Sequence, residues 1–156
     1  MYIDASKAAA SASPIIVVGK TFCYMRAMVQ PRATNQDGNL ASLATQKGAI
    51  LIYPSSTHNL QCWDCGTSAS LTRNGGGDPT SIVRVMATVF LVGTSSGAMM
   101  GNVLAAIYPD VLAATAVYSG TAAGAQLSRP ALPRTHNDPC GFGHITKPTQ
   151  QWGKIV

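Results

Sequence analysis

The chain has 156 residues, enough for one domain with its own core, and carries 11 basic against 6 acidic residues for a net charge of +5. The basic residues are scattered singly, with no Lys/Arg run and no interleaved aromatics, which argues against nucleic acid as the partner; no stretch approaches the roughly 18 apolar residues of a membrane span. Glutamate is absent, so any carboxylate chemistry must come from Asp4, Asp37, Asp64, Asp78, Asp110 or Asp138.

Met1 to Ser13 does not read as a secretion signal: Met1 to Lys7 already carries Asp4 and Lys7, and Ala8 to Ser13 is too mildly apolar for its hydrophobic centre. Pro14 to Val18 is an aliphatic, β-branched run that reads as a buried parallel strand. Gly19-Lys20-Thr21 imitates the end of a phosphate-binding loop, but Pro14 stands where that loop needs its first glycine. Asn39 to Lys47 reads as a short helix closed by Gly48, and Ala49 to Tyr53 as a second buried strand ended by Pro54. A polar loop follows from Ser55 to Thr80. It holds Cys62-Trp63-Asp64-Cys65 and the Gly75-Gly76-Gly77 run, which reads as a flexible rim loop.

The four cysteines, Cys23, Cys62, Cys65 and Cys140, allow three full pairings; a disulfide-bearing secreted protein is the preferred reading, with buried free thiols as the alternative. A single C-x-x-C without a second pair gives no zinc site, so neither a metal nor a cofactor is expected. Ser81 to Ala87 looks helical and Thr88 to Val92 looks like a strand. Parallel strands need a longer crossover than this junction offers, so a piece between Ala87 and Val89 is expected to be missing.

That strand leads into Gly93-Thr94-Ser95-Ser96-Gly97, and a helical pattern starts at once. Met99, Met100, Val103, Leu104 and Ile107 share one face, and Pro109 ends the pattern. This is the layout of a nucleophile elbow, a sharp strand-to-helix turn that lifts a serine Oγ above a sheet. Gly93 and Gly97 supply the bare backbone that a strained Ser95 requires, and the Ser96 N–H would point toward a forming oxyanion. Ala113 to Tyr118 reads as the next strand. After it come a Pro-, Ser- and Arg-containing loop and a short Gln150-Gln151-Trp152 segment, and no later strand covers its open edge.

With the elbow placed, Ile50 to Ser56, Cys62-Trp63-Asp64, Leu71 to Asp78, Val92 to Met100 and Ile145 to Gly153 together resemble the fungal acetylxylan esterases of carbohydrate esterase family 1. That family also includes feruloyl esterases and borders on the polyhydroxybutyrate depolymerases. The match covers Ala49 to Gly120 with a gap near Thr88, and Met1 to Val18 resembles an internal stretch of the family's first strands. The resemblance implies a single, incomplete α/β-hydrolase domain over 1–156: a mostly parallel sheet with flanking helices and its C-terminal strands missing. It implies an extracellular enzyme that removes acetyl or related acyl groups from cell-wall xylan, with acetylated xylan as partner and no nucleic acid or membrane. By position, Ser95 is the nucleophile, and the oxyanion donors are the backbone N–H of Ser96 and of Cys23. Cys23 is the matching residue of Thr21-Phe22-Cys23-Tyr24-Met25. Cys23 would pair with Cys62, Ala125 replaces a family cysteine and so leaves Cys140 without its counterpart, and Trp152 matches a tryptophan near the substrate surface.

A serine esterase also needs a histidine base and a carboxylate to orient it, and in this fold both follow the serine, acid first. After Ser95 the chain offers Asp110, His136, Asp138 and His144. Asp110 would sit about 20 Å away at the far end of the helix, while Asp138 and His144 have the right order but lie in an irregular loop. His58 precedes the serine and is assigned to the rim. The chain is therefore expected to stop short of a complete triad, and the alternative to an esterase is an inactive homologue with residual polysaccharide binding.

Overall fold

Among the described residues a sheet of five strands organises the chain: β1 (Tyr2–Asp4), β2 (Pro14–Val18), β3 (Ile50–Tyr53), β4 (Val89–Thr94) and β5 (Leu112–Tyr118), in the order β1-β3-β2-β4-β5. The structure, a computed structural model, describes residues 2–4, 14–18, 39–56, 58, 62–84, 89–125 and 143–155, the first two stretches by their backbone alone. β1 lies antiparallel to β3, and the other neighbours are parallel. Among the described residues the helices are α1 (Leu40–Lys47), α2 (Asp78–Val83), α3 (Ser96–Ile107) and, after the last strand, α4 (Thr149–Trp152). The expected mixture of parallel strands and flanking helices is present.

Hydrophobic burial puts a helix on either face of the sheet. All three side chains of Leu51-Ile52-Tyr53 are buried, although successive side chains point to opposite faces. Leu51 and Tyr53 pack with Ala44 of α1, whereas Ile52 joins the larger cluster on the α3 side. That cluster takes Val89 and Leu91 from β4 and Met100, Val103, Leu104 and Ile107 from α3. The spacing 100, 103, 104, 107 is one helical stripe, so the pattern legible in the sequence is the one that meets the sheet. Gly101 permits the close approach, since a Cβ there would lie 2.6 Å from Val117 Cγ1 and 2.8 Å from Leu91 Cδ2.

The helix ends follow local chemistry. α1 closes on Gly48, whose left-handed backbone (φ 65°) lets its N–H reach the Ala44 and Thr45 carbonyls. α3 stops at Tyr108, ahead of Pro109, which cannot donate a helical hydrogen bond. One helix differs from expectation. α2 runs from Asp78 to Val83, starting inside the span expected to be loop and three residues before Ser81. Pro79 and Asp78 are favourable in a first helical turn, so residues that punctuate a loop here begin a helix. Residues 85–88, where a missing piece was expected, lie outside the described residues.

Candidate active site

Ser95 sits in the turn between β4 and α3 with φ 54° and ψ −121°, a backbone conformation that side-chain-bearing residues rarely adopt. Its surroundings hold it there. The Ser95 N–H donates to the Tyr118 carbonyl (2.9 Å), and the Ser95 carbonyl accepts from Ala98 N–H (2.9 Å) and Met99 N–H (3.0 Å). One residue thus ties the ends of two strands to the first turn of a helix. A Cβ on Gly93 would fall 2.5 Å from the Gly97 carbonyl oxygen, which is the bare-backbone demand read from the sequence. Gly120 meets the same demand from the other side, because a Cβ there would lie 2.6 Å from Ala98 Cβ and 2.7 Å from Ala98 C. Asn102 Nδ2 donates to the Thr121 carbonyl (2.8 Å), so the chain leaving β5 wraps the start of α3.

Ser96 is buried at the N-terminus of α3, a position where backbone N–H groups and the helix dipole favour a developing negative charge. The strain at Ser95 has a measurable consequence. Its cost of about 1–3 kcal/mol exceeds the roughly 0.5–1 kcal/mol that glycine loses in chain entropy. Ser95→Gly is therefore expected to raise stability in urea by about 1 kcal/mol, with Ser95→Ala near wild type. A destabilised Ser95→Gly would show that the turn is not strained.

The parallel register places the Ser55–Asp78 region at the same end of the sheet. β3 and β4 both pair in parallel with β2, so the loop leaving Tyr53 emerges beside the elbow. Within it, His58 Nε2 lies 3.0 Å from Asp78 Oδ1, and Asp78 Oδ2 accepts from the Asp64 N–H at 2.8 Å. Asp64 organises the following turn by accepting from Gly66 N–H, Thr67 N–H, Thr67 Oγ1 and the buried Ser70 Oγ. The two outer glycines of the run are packed: a Cβ on Gly75 would collide with the Ala69 and Thr72 carbonyl oxygens, and one on Gly77 with Ser70, while Gly76 faces open space in a left-handed conformation (φ 87°). Close approach, not flexibility, accounts for Gly75 and Gly77.

The foot of α3 is pinned to this loop. Arg73 donates two hydrogen bonds to Asp110 (2.6 and 2.7 Å) and one to the Ile107 carbonyl (3.1 Å), and its guanidinium stands 4.8 Å from the Tyr108 ring centre. Tyr108 OH in turn accepts from the Asn74 N–H at 2.8 Å. The Arg73 hydrogen bonds, with one from its own backbone, lower the Asp110 pKa to about 2 from 3.8, and the same pairing raises that of Arg73. A carboxylate depressed in the folded state stabilises fully above the unfolded pKa, and that contribution fades as the carboxylate is protonated. The stability difference between wild type and Asp110→Asn should therefore be constant above about pH 4 and shrink toward pH 2. An unchanged difference across that window would exclude the pairing.

The remaining candidates are spread out. Asp110 is at the opposite end of α3 from Ser95, as the helical spacing predicted, and is held by Arg73. His144 is exposed in the segment before α4. His136, Asp138, Cys23 and Cys140 lie outside the described residues, as does Gly19-Lys20-Thr21. Cys62 is in a disulfide whose partner is likewise outside them, and Cys65 is a buried thiol, so the C-x-x-C does not close on itself. Trp152 is half-buried, with Lys147 Nζ 5.0 Å from its ring centre. Among the described residues no His, Cys, Asp or Glu group could hold a metal ion. Sequence reading missed the Arg73–Asp110 clamp and the His58–Asp78 contact. The signal available for the first was only that acids are few.

No known protein-family model matches the chain. Acetylxylan esterase A of Talaromyces purpureogenus is 40% identical over 167 positions, covering all of this chain and 42% of that protein. The Aspergillus oryzae acetylxylan esterase A is 38% identical over the whole chain and 53% of its own length. The acetyl xylan esterase structure from Aspergillus awamori superposes with a TM-score of 0.85 at 33% identity, over 99% of this chain and 58% of that one. The chain is homologous to the fungal acetylxylan esterases along its whole length. It spans about half the length of the curated relatives it matches. The Talaromyces alignment runs to 167 positions against 156 residues here, a difference of 11, so that acetylxylan esterase carries sequence inside the matched span that this homologue lacks. An internal deletion was the expectation from the short crossover before β4.

Proposed function

We propose that this chain is the nucleophile-bearing part of a secreted carboxylic ester hydrolase of the α/β-hydrolase fold, which removes acetyl groups from xylan through an acyl-enzyme on Ser95. The observation that carries the reading is the Ser95 backbone, φ 54° and ψ −121°, at a strand-to-helix turn in a homologue of acetylxylan esterases. In this reading Ser95 Oγ attacks the acetyl carbonyl while a histidine takes its proton. The oxyanion is held by the Ser96 N–H, with the Cys23 N–H as second donor. The sugar hydroxyl leaves with the proton, and water then releases acetate. Feruloyl and polyester substrates share this chemistry. A Cys23–Cys62 disulfide would tie the second donor to the rim, and the Cys62 disulfide supports an oxidising, extracellular setting. No helix among the described residues is long and apolar enough to cross a membrane. Trp152 is proposed on the substrate side by its place in the family pattern.

A second reading, a catalytically silent homologue with residual polysaccharide binding, is favoured for the isolated chain by the position of Asp110. That acid is engaged by Arg73 at the wrong end of α3, and His58 is engaged by Asp78. The 156-residue protein should therefore turn over p-nitrophenyl acetate no faster than its Ser95→Ala variant. Fusion to the downstream half of the Talaromyces relative should restore acetate release that depends on Ser95. A Ser95-dependent burst from the chain alone would overturn its inactivity, and a folded but inactive fusion would overturn the esterase reading.

A further inference from the structure

The Ser95 N–H donates to the Tyr118 carbonyl at 2.9 Å, so the peptide group joining Tyr118 to Ser119 lies directly against the elbow. The ladder between β4 and β5 runs to the pair Thr94 and Tyr118, and Ser95 and Ser119 are the residues that follow on the two strands. Both leave strand geometry at once, Ser95 with φ 54° and Ser119 with φ 57°. Among the described residues the other non-glycine positions with positive φ are Asn39 and Asn74. Asparagine tolerates that region because its short amide bonds locally, an allowance that serine lacks. The chain therefore sets a serine in a left-handed backbone twice, side by side at one end of the sheet.

The fold accounts for the Ser119 backbone but not for its side chain. Tyr118 is held by Ser95, and Gly120 is pressed on the first turn of α3, where a Cβ would fall 2.7 Å from Ala98 C and 2.8 Å from Met99 N. Asn102 then holds the Thr121 carbonyl at 2.8 Å. With the chain fixed on both sides, residue 119 is forced into the left-handed region, which glycine would occupy without strain. Yet the position carries a hydroxyl, and Ser119 is exposed with no side-chain hydrogen bond among the described residues. Strain that glycine would relieve, kept together with a polar group that the fold does not use, points to a ligand for that group. We infer that Ser119 is a sugar-binding residue of the Ser95 site, its hydroxyl bonding a sugar hydroxyl next to the acetylated carbon. The inference rests on the esterase reading and adds the part of the substrate that Ser119 takes. β2, whose continuing chain carries the proposed second oxyanion donor, borders β4 on one side, and β5 borders it on the other. With the acyl oxygen drawn toward β2, the β5 side is left to the alcohol half of the ester. A serine hydroxyl can donate once and accept twice, which suits a sugar hydroxyl of the same character.

In the 156-residue protein Ser119→Gly should raise the urea midpoint, and Ser119→Ala should leave it near wild type. In the fusion to the downstream half of the Talaromyces relative, both variants should lower the ratio of kcat/KM on acetylated xylan to that on p-nitrophenyl acetate. The expected fall is roughly fivefold, the loss of one neutral hydrogen bond. p-Nitrophenyl acetate carries the same acetyl group without a sugar hydroxyl, so a change that only displaced Ser95 would lower both rates and leave the ratio as it was. An unchanged ratio in a fusion that hydrolyses both substrates would overturn the inference and leave the esterase reading standing. A Ser119→Gly midpoint at or below wild type would also overturn it, because the hydroxyl would then be serving the turn. A folded fusion inactive on both substrates would overturn the esterase reading and this inference with it.

Discussion

Gly93→Ala is expected to cost about 2–3 kcal/mol of stability in urea denaturation, although alanine gains roughly 0.5–1 kcal/mol over glycine within a strand. The new Cβ would lie 2.5 Å from the Gly97 carbonyl oxygen, 2.8 Å from Gly97 C and 3.0 Å from Ala98 N. All three are backbone atoms of the first turn of α3, so no side chain can swing aside. The turn itself must open, against the hydrogen bonds that Ser95 makes to Tyr118, Ala98 and Met99. In an active fusion the same change would displace Ser95 Oγ and the Ser96 N–H together and lower kcat more than KM. Gly153→Ala is the matched control. Gly153 has ordinary helical dihedrals and its nearest neighbour would be 3.6 Å away, so that change should be within about 0.5 kcal/mol of neutral. Equal effects at the two positions would refute the close-approach explanation of the elbow glycine.

What could be read from sequence was what depends on neighbours in sequence. The stripe on α3, the stop at Pro109, the Gly48 cap and the strand at β3 each rest on contacts within a few residues, and each stands close to where it was expected. The elbow was legible for the same reason, because Gly93, Ser95 and Gly97 constrain one another locally. α2 began early because Asp78 and Pro79 suit both a loop and a first helical turn, and only packing of Ile82 against the core decides between them. The Arg73–Asp110 fork joins residues 37 apart, and His58–Asp78 joins residues 20 apart. Neither spacing has a periodicity to find. The glycine run had a local signature, but its cause is the backbone of Ala69, Thr72 and Ser70 pressed against it, which composition does not reveal.

Leu104→Ala is expected to cost about 3 kcal/mol, the other large effect, because it opens a cavity where α3 meets the sheet. Leu104 is fully buried in the cluster that holds Leu91, Val89 and Ile82, and its backbone carbonyl still accepts from the Tyr108 N–H, so truncation removes packing and leaves the helix bonded. Leu43→Ala supplies the comparison. That leucine on α1 is 49% exposed, and its loss should cost under about 1 kcal/mol by transferred area alone. The contrast separates burial from the leucine's helix propensity, which changes equally in both variants. It also locates the support of the elbow. α3 is held at its start by Ser95 and Gly120, at its foot by Arg73, and along its length by this apolar stripe. If Leu104→Ala costs no more than Leu43→Ala, the stripe does not hold α3 to the sheet, and the placement of Ser95 rests on the two ends alone.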